Sequence, residues 1–388
     1  VGRQMRGARA AVAVVILSAL PFSRLTFAED PVPAAQLAPE TPPAPQGYGK
    51  FPLDPRLESR VRFWVDIYAK YHSWETLLVD SRHPELVFAV IDTRDKPGIV
   101  AVEKRKVTAA IRSMAGKWKE IASGGIRRSR LKPAERLVIE AAEKVGLGAE
   151  LDVIASDVTR YLRAQNGLRD AFEDALFVSG KYLPRMEALF ERFGLPPEIA
   201  YLPFVESGFN KKAVSKVGAS GIWQFMPYTG KLYLRVDDVV DERNDPMRSA
   251  EAAARLMQQN YSLLGEWPLT ITAYNHGTTG VARAAREIGS RELADLIGKY
   301  DNKNFGFASQ NFYACFLAAL HVARNSDRYL GSIPRARKLE FDEFVMPDFM
   351  SSKDFIEKMQ IDETVFRELN PALTEEVYSG RKLIPVGY

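Results

Sequence analysis

Between Leu195 and Pro227 the chain constrains its own folding more tightly than anywhere else. Pro196 and Pro197 suit a helical first turn, whose N–H groups lack an intrahelical acceptor in any case. Ile199, Ala200, Leu202, Phe204 and Val205 then leave no polar stripe, which predicts a short helix buried on most sides. The run closes on Glu206, with Ser207 and Gly208 as its stop. A carboxyl group there reaches solvent, pairs with Lys211 or Lys212, or sits where burial disfavours its charge. In the last case its pKa rises, and it keeps a proton near neutral pH as a general acid must.

A Ser/Gly/Ala loop follows from Ser215 to Gly221, and then the apolar step Ile222-Trp223-Gln224-Phe225-Met226. Aromatic walls with one amide, Gln224, able to reach a polar ligand are how small-ligand clefts are built. Farther along, Ala273-Tyr274-Asn275 falls in a helix opened by Pro268.

Glu206-Ser207, Gly221-Ile222-Trp223-Gln224 and Ala273-Tyr274-Asn275 stand in the order and spacing of the soluble lytic transglycosylase domain, glycoside hydrolase family 23. The resemblance is strongest over 180–325. The Trp223 to Pro227 wording and Asp241-Glu242-Arg243-Asn244-Asp245-Pro246 are most similar to the membrane-bound murein branch of that family. The resemblance implies a lysozyme-like catalytic domain that cleaves peptidoglycan between N-acetylmuramic acid and N-acetylglucosamine. In the family reaction one Glu protonates the bond, the substrate's acetamido group stabilises the cation, and the same Glu then deprotonates the muramyl C6 hydroxyl. A 1,6-anhydro ring closes and water is not consumed. By position Glu206 takes the acid/base role and Ser207 stands beside it. Ser215 matches a serine bonded near the carboxylate, Gln224 a substrate-binding amide, Met226 an apolar wall, and Tyr274 with Asn275 the tyrosine close to the Glu. Read singly, Ser215 is equally a cap, Gln224 a backbone partner and Tyr274 a core aromatic. Neither metal nor organic cofactor is expected.

One departure is clear. Many relatives carry Glu-Thr-Arg-x-Tyr-Val on the last long helix, where this chain has Ala308-Ser309-Gln310-Asn311-Phe312-Tyr313. The floor of the cleft must be held by other groups.

Glycoside cleavage usually needs two carboxylates. Asp237, Asp238, Asp241, Glu242 and Asp245 lie in a polar segment that reads as a solvated loop plus a helix cap, unlike the apolar setting of Glu206.

Around this unit the chain divides as follows. Residues 1–28 have arginines, then an apolar run from Ala10 to Leu20, then small residues, a secretory signal pattern shorter than the ~20 residues of a membrane span. Residues 29–55 are dense in proline and read as a solvated tether. Residues 56–180 read as a helical accessory region. In it Leu57, Val61, Trp64 and Tyr68 share a face, a hairpin is expected at 77–91, and helices at 149–165 and 168–180. Residues 181–335 form the catalytic domain, and 336–388 a C-terminal cap, partly similar to a LysM glycan-binding repeat.

The fold class expected is mainly α. The 388 residues carry a net charge of +4 and no zinc-finger, RNP or basic-helix pattern, so a nucleic-acid partner is not expected. The single cysteine, Cys315, lies far from the export segment, which argues against a lipoprotein, and it reads as a core residue. The expected protein is an exported, periplasmic, cell-wall-associated enzyme acting on peptidoglycan strands. The rivals are a muramidase using water and a second carboxylate, and a non-catalytic peptidoglycan-binding protein. Oligomeric state is not legible.

Overall fold

The computed structural model describes residues 42–388. The expected signal segment 1–28, and residues 29–41 of the expected tether, lie outside the described residues. The architecture is mainly α, with one three-stranded antiparallel sheet. None of the described helices is long and apolar enough to cross a membrane.

The accessory region opens with α1 (Glu58–Ala69), then β1 (Glu75–Asp80), β2 (Val87–Asp92), α2 (Ile99–Met114) and α3 (Pro133–Lys144). Two short helices, Leu151–Ser156 and Val158–Tyr161, lead into β3 (Leu162–Asn166), and α4 (Arg169–Ser179) follows. The hairpin falls where the aliphatic runs place it, β1 against β2. The long helix expected over 149–165 is corrected: its last four residues, with Asn166, form β3, pairing Thr76 with Asn166 through Asp80 with Leu162. Ile154, Val158 and Leu162 do keep helical spacing. The second edge of β1, however, presents a row of N–H and C=O groups that buried backbone must pair.

Successive β1 side chains point to opposite faces. Leu77 and Val79 enter one core, shared with α1, α4 and the catalytic unit. Leu78 enters a second, with Phe88, Ile111, Ile139 and Leu162. The strand is therefore the wall between two cores, and α1 and α4 belong structurally to the catalytic unit.

That unit consists of α5 (Leu183–Arg192), the short α6 (Leu202–Glu206), α7 (Pro246–Leu264), α8 (Trp267–His276), α9 (Thr278–Ile288), α10 (Leu293–Lys299) and α11 (Phe307–Arg324). Asp245 caps α7, its carboxylate accepting from the N–H groups of Met247 and Arg248. Gly265 ends the same helix at φ 70°. α11 is apolar nearly all round and forms the central rod.

The tether reading fails for 42–55. Phe51 is fully buried, edge-on to Phe316 at 4.9 Å and to Trp267 at 5.3 Å. Tyr313 donates to the Pro52 carbonyl at 2.7 Å, and the Tyr48 hydroxyl lies 2.6 Å from His321 Nδ1. Proline density sets a stiff backbone, but two aromatics give that segment something to bury.

The C-terminal module holds α12 (Ser352–Met359) and α13 (Glu363–Leu369) between Met350 and Ile384, which pair antiparallel. Its small core includes Phe355, Phe366 and Val377, with Val240 of the catalytic unit inserted. Docking is completed by Asp241 N–H to the Ala372 carbonyl at 2.7 Å and by Lys181 to Glu368 at 2.6 Å.

Candidate active site

The local sequence delivers Glu206 to the last turn of α6, after a 3-10 turn over Pro197–Tyr201. Ser207 caps the turn, and Gly208 and Phe209 follow at φ 59° and 56°. Left-handed backbone at Gly208 is unremarkable. At Phe209, a large side chain, it is strained, and the buried ring holds it there, edge-on to Phe204 at 4.8 Å.

Glu206 itself is half-buried, and its carboxyl has no hydrogen-bond or ion-pair partner among the described residues. Desolvation alone pushes its pKa up to about 8. Neither Lys211 nor Lys212 reaches it: Lys211 donates instead to the Glu368 carbonyl at 3.2 Å.

The walls come from three places. Ser207 Oγ donates to the Ile222 carbonyl at 2.9 Å, tying the end of α6 to the Gly-rich loop. Tyr274 of α8 donates to the Trp223 carbonyl at 2.8 Å. Burial first, and then the charge of Glu206, hold its phenol well above the usual range, so Tyr274 stands within electrostatic reach of the carboxyl. Tyr68 of α1 forms the third wall. Its phenol is raised by burial, by Cys315 to which it hydrogen-bonds, and by Glu206. Sequence reading marked Tyr68 only as a core face of α1, and no local pattern assigns its hydroxyl.

Gln224 has φ 50° and its Nε2 donates to the Gly221 and Ala213 carbonyls at 2.7 and 3.0 Å. Both partners are acceptors, so the amide orientation is fixed, and Oε1 is left buried and unpartnered among the described residues. Gln224 is therefore a backbone clamp with one acceptor to spare. Ser215 accepts from Ala219 N–H at 2.8 Å and so closes its own loop; its hydroxyl makes no described bond to Glu206. Met226 is half-buried, just before the Pro227 turn. Asn275 is the 3.4 Å acceptor for Ser309 Oγ, and the same hydroxyl lies 2.9 Å from His276 Nδ1.

The polar segment 237–245 is not wholly solvated, which corrects that expectation. Arg243 is buried, pairs with Asp241 at 2.6 Å, and donates to the Gly218 and Phe225 carbonyls at 2.8 and 3.2 Å. The guanidinium satisfies loop carbonyls that no strand reaches. The fit requires Gly221, where a Cβ would stand 1.8 Å from the Arg243 oxygen. The floor is held by α1: Asn311 Oδ1 of α11 accepts from Arg60 Nη1 at 3.1 Å and from Trp64 Nε1 at 3.0 Å.

A desolvated carboxyl whose pKa is raised toward neutrality, with two neutral phenols within its field, suits proton transfer to and from a polar ligand. Residues 188–303 match the transglycosylase SLT domain. Over 193 residues the chain is 30% identical to the membrane-bound lytic murein transglycosylase D of Escherichia coli K12, covering 49% of this chain and 41% of that protein, and the same values hold for the protein of strain O6:H1. The chain thus spans less than half the length of these relatives. The 70 kDa soluble lytic transglycosylase of Escherichia coli overlays on 51% of this chain and 28% of its own, with 20% identity and a TM-score of 0.26, too slight a likeness to build on. The SLT domain match encloses Glu206, Gln224 and Tyr274.

Proposed function

We propose that this protein is a peptidoglycan lytic transglycosylase in which Glu206 acts alone as acid and then base. The observation that carries the reading is the unpartnered carboxyl of Glu206 with its pKa pushed up to about 8 inside the SLT domain. Protonated at neutral pH, it delivers its proton to the oxygen linking N-acetylmuramic acid to N-acetylglucosamine. The carboxylate so formed, poorly solvated, is then a strong enough base to take the C6 hydroxyl proton, and the 1,6-anhydro ring closes. Tyr68 and Tyr274, within its field, stay neutral and present hydroxyls rather than charge.

A water-using muramidase needs a second carboxylate. Asp241 is paired with Arg243, Asp237 with Arg235 at 2.7 Å, and Asp238 faces Lys382 at 3.6 Å. Glu242 accepts from Arg235 N–H, and Asp245 caps α7. None contributes to the Glu206 shift, whose only cause is burial. Export to the cell-wall space follows from the 1–28 pattern and from the substrate.

The test is cleavage of murein sacculi followed by mass analysis. Fragments lighter by one water than hydrolytic ones, absent with Glu206→Gln, support the reading. Fragments of hydrolytic mass make the protein a muramidase, and no fragments from the parent protein leave a glycan-binding role.

A further inference from the structure

Away from Glu206 the molecule has a groove of about 710 Å3 between β3 and the segment running from α10 to the start of α11. Its walls hold Arg82, Lys104, Arg160, Arg163, Lys299 and Lys303 against one acid, Asp301. Arg82 is neutralised by Asp80 at 2.7 Å and Lys299 by Asp295 at 2.9 Å. Lys104, Arg160, Arg163 and Lys303 make no ion pair among the described residues.

Arg163 is the most demanding of these. Its guanidinium lies over the Phe307 ring, 4.3 Å from the centroid, and its Nε is shut from solvent with no hydrogen-bond partner among the described residues. A buried, unmatched donor on a cation is costly unless an acceptor arrives. Phe307 is also the first residue of α11, whose N-cap Gly306 provides no capping side chain, so the first-turn N–H groups and the positive end of the helix dipole face the same region. Two aromatic surfaces, Phe307 and Tyr161, line the space; Arg82 lies over the Tyr161 ring at 4.2 Å and Arg160 at 5.0 Å. Cations, a helix N-terminus and flat apolar walls together fit a small flexible acid with several carboxylates. A long polyanion would need a continuous basic stripe, and the whole chain is only +4.

Helix α11 starts at the groove and runs past the end of α6, where Glu206 lies. Phe307 precedes Cys315, the α11 neighbour of Glu206, by eight residues, about 12 Å at 1.5 Å per residue. That axial distance is the length of about four residues of extended peptide. We propose that this groove binds the carboxylates of the peptide stems borne by the glycan strand, so that the protein favours peptide-bearing over bare strands. The proposal rests on the lytic reading for its substrate, and on the groove alone for its chemistry.

Two measurements test it, on the full chain. Free stem peptides, released from sacculi by an amidase, are titrated into the protein by calorimetry at low and high salt. Cleavage rates are compared on intact sacculi and on amidase-stripped strands. Binding that weakens with salt, falls about tenfold in Lys104→Gln/Arg163→Gln, and is matched by a similar fall in the intact-to-stripped rate ratio supports the proposal. A melting curve like the parent's certifies the variant's fold, and Arg163→Lys, which restores charge without the fork, should recover part of the binding. Equal peptide binding by parent and variant, or an unchanged rate ratio, overturns it. So does binding of inorganic polyphosphate without binding of stems, which would make the groove a phosphate site. If stems bind as described but neither strand type is cut, the groove's chemistry stands and the lytic reading falls.

Discussion

The carboxyl of Glu206 is ordinary chemistry in an extraordinary solvent. Folded, it holds its proton up to about pH 8, whereas at its ordinary value of 4.5 the unfolded chain releases it. Stability contributed at acid pH is therefore lost as pH rises from 4.5 through 8. Glu206→Gln removes the titration, so the variant should be inactive on sacculi yet melt higher at pH 7. The expected gain is about 1–3 kcal/mol, reduced by partial exposure and by the amide's own unmet donors. Melting at pH 5 and pH 8.5 checks it: a parent slope as flat as the variant's would count against a sheltered acid. Activity of the parent should fall on the alkaline side near pH 8, as the acid loses its proton before turnover. Glu206 could be picked out from the chain because an apolar helix ends on it, and a charge there must be explained. Tyr68 could not, because its hydroxyl matters only once α1 is laid on α11. Nor could the true work of Gln224, whose amide is turned toward backbone by a left-handed φ that no side-chain pattern reveals.

Among elements, the loop that forms the recess depends on one cation. Arg243→Lys keeps the charge but loses the fork that reaches Asp241, Gly218 and Phe225 together. We expect a loss of about 2–4 kcal/mol in denaturant unfolding, with a larger loss of cleavage as Trp223 and Gln224 drift. A stability change within experimental error would show that the loop holds itself. The segment at 42–55 makes a second case. Phe51→Ala should destabilise by about 3–5 kcal/mol, whereas a true tether would give no change. The segment's docking was hidden because proline content speaks for stiffness and says nothing about where a stiff segment lies. The β3 strand was hidden because Ile154, Val158 and Leu162 satisfy helical spacing, while pairing to β1 is decided by a hydrogen-bond vacancy elsewhere. The start of α7 was legible, because Asp245 before Pro246 reads as a helix cap.

Over the whole molecule, the two larger cores meet along β1, and the third grips Val240. Calorimetry should accordingly give one dominant transition for residues 56–335, since neither large core can melt without stripping one face of the shared strand. Leu78→Ala, placed in the core away from Glu206, should lower that same transition, by about 2–5 kcal/mol. Two separate peaks, only one of which moves, would mean independent halves. The C-terminal module, joined through a smaller interface, is the segment expected to loosen first under mild denaturant, read by hydrogen exchange at 350–388.

Because a single strand serves as a party wall for both large compartments, neither can tilt against the other without breaking the ladder that joins them. If the chain acts on glycan strands as proposed, a site walled by such a β-strand meets them with its shape already set, so that selectivity comes from fit rather than from closure.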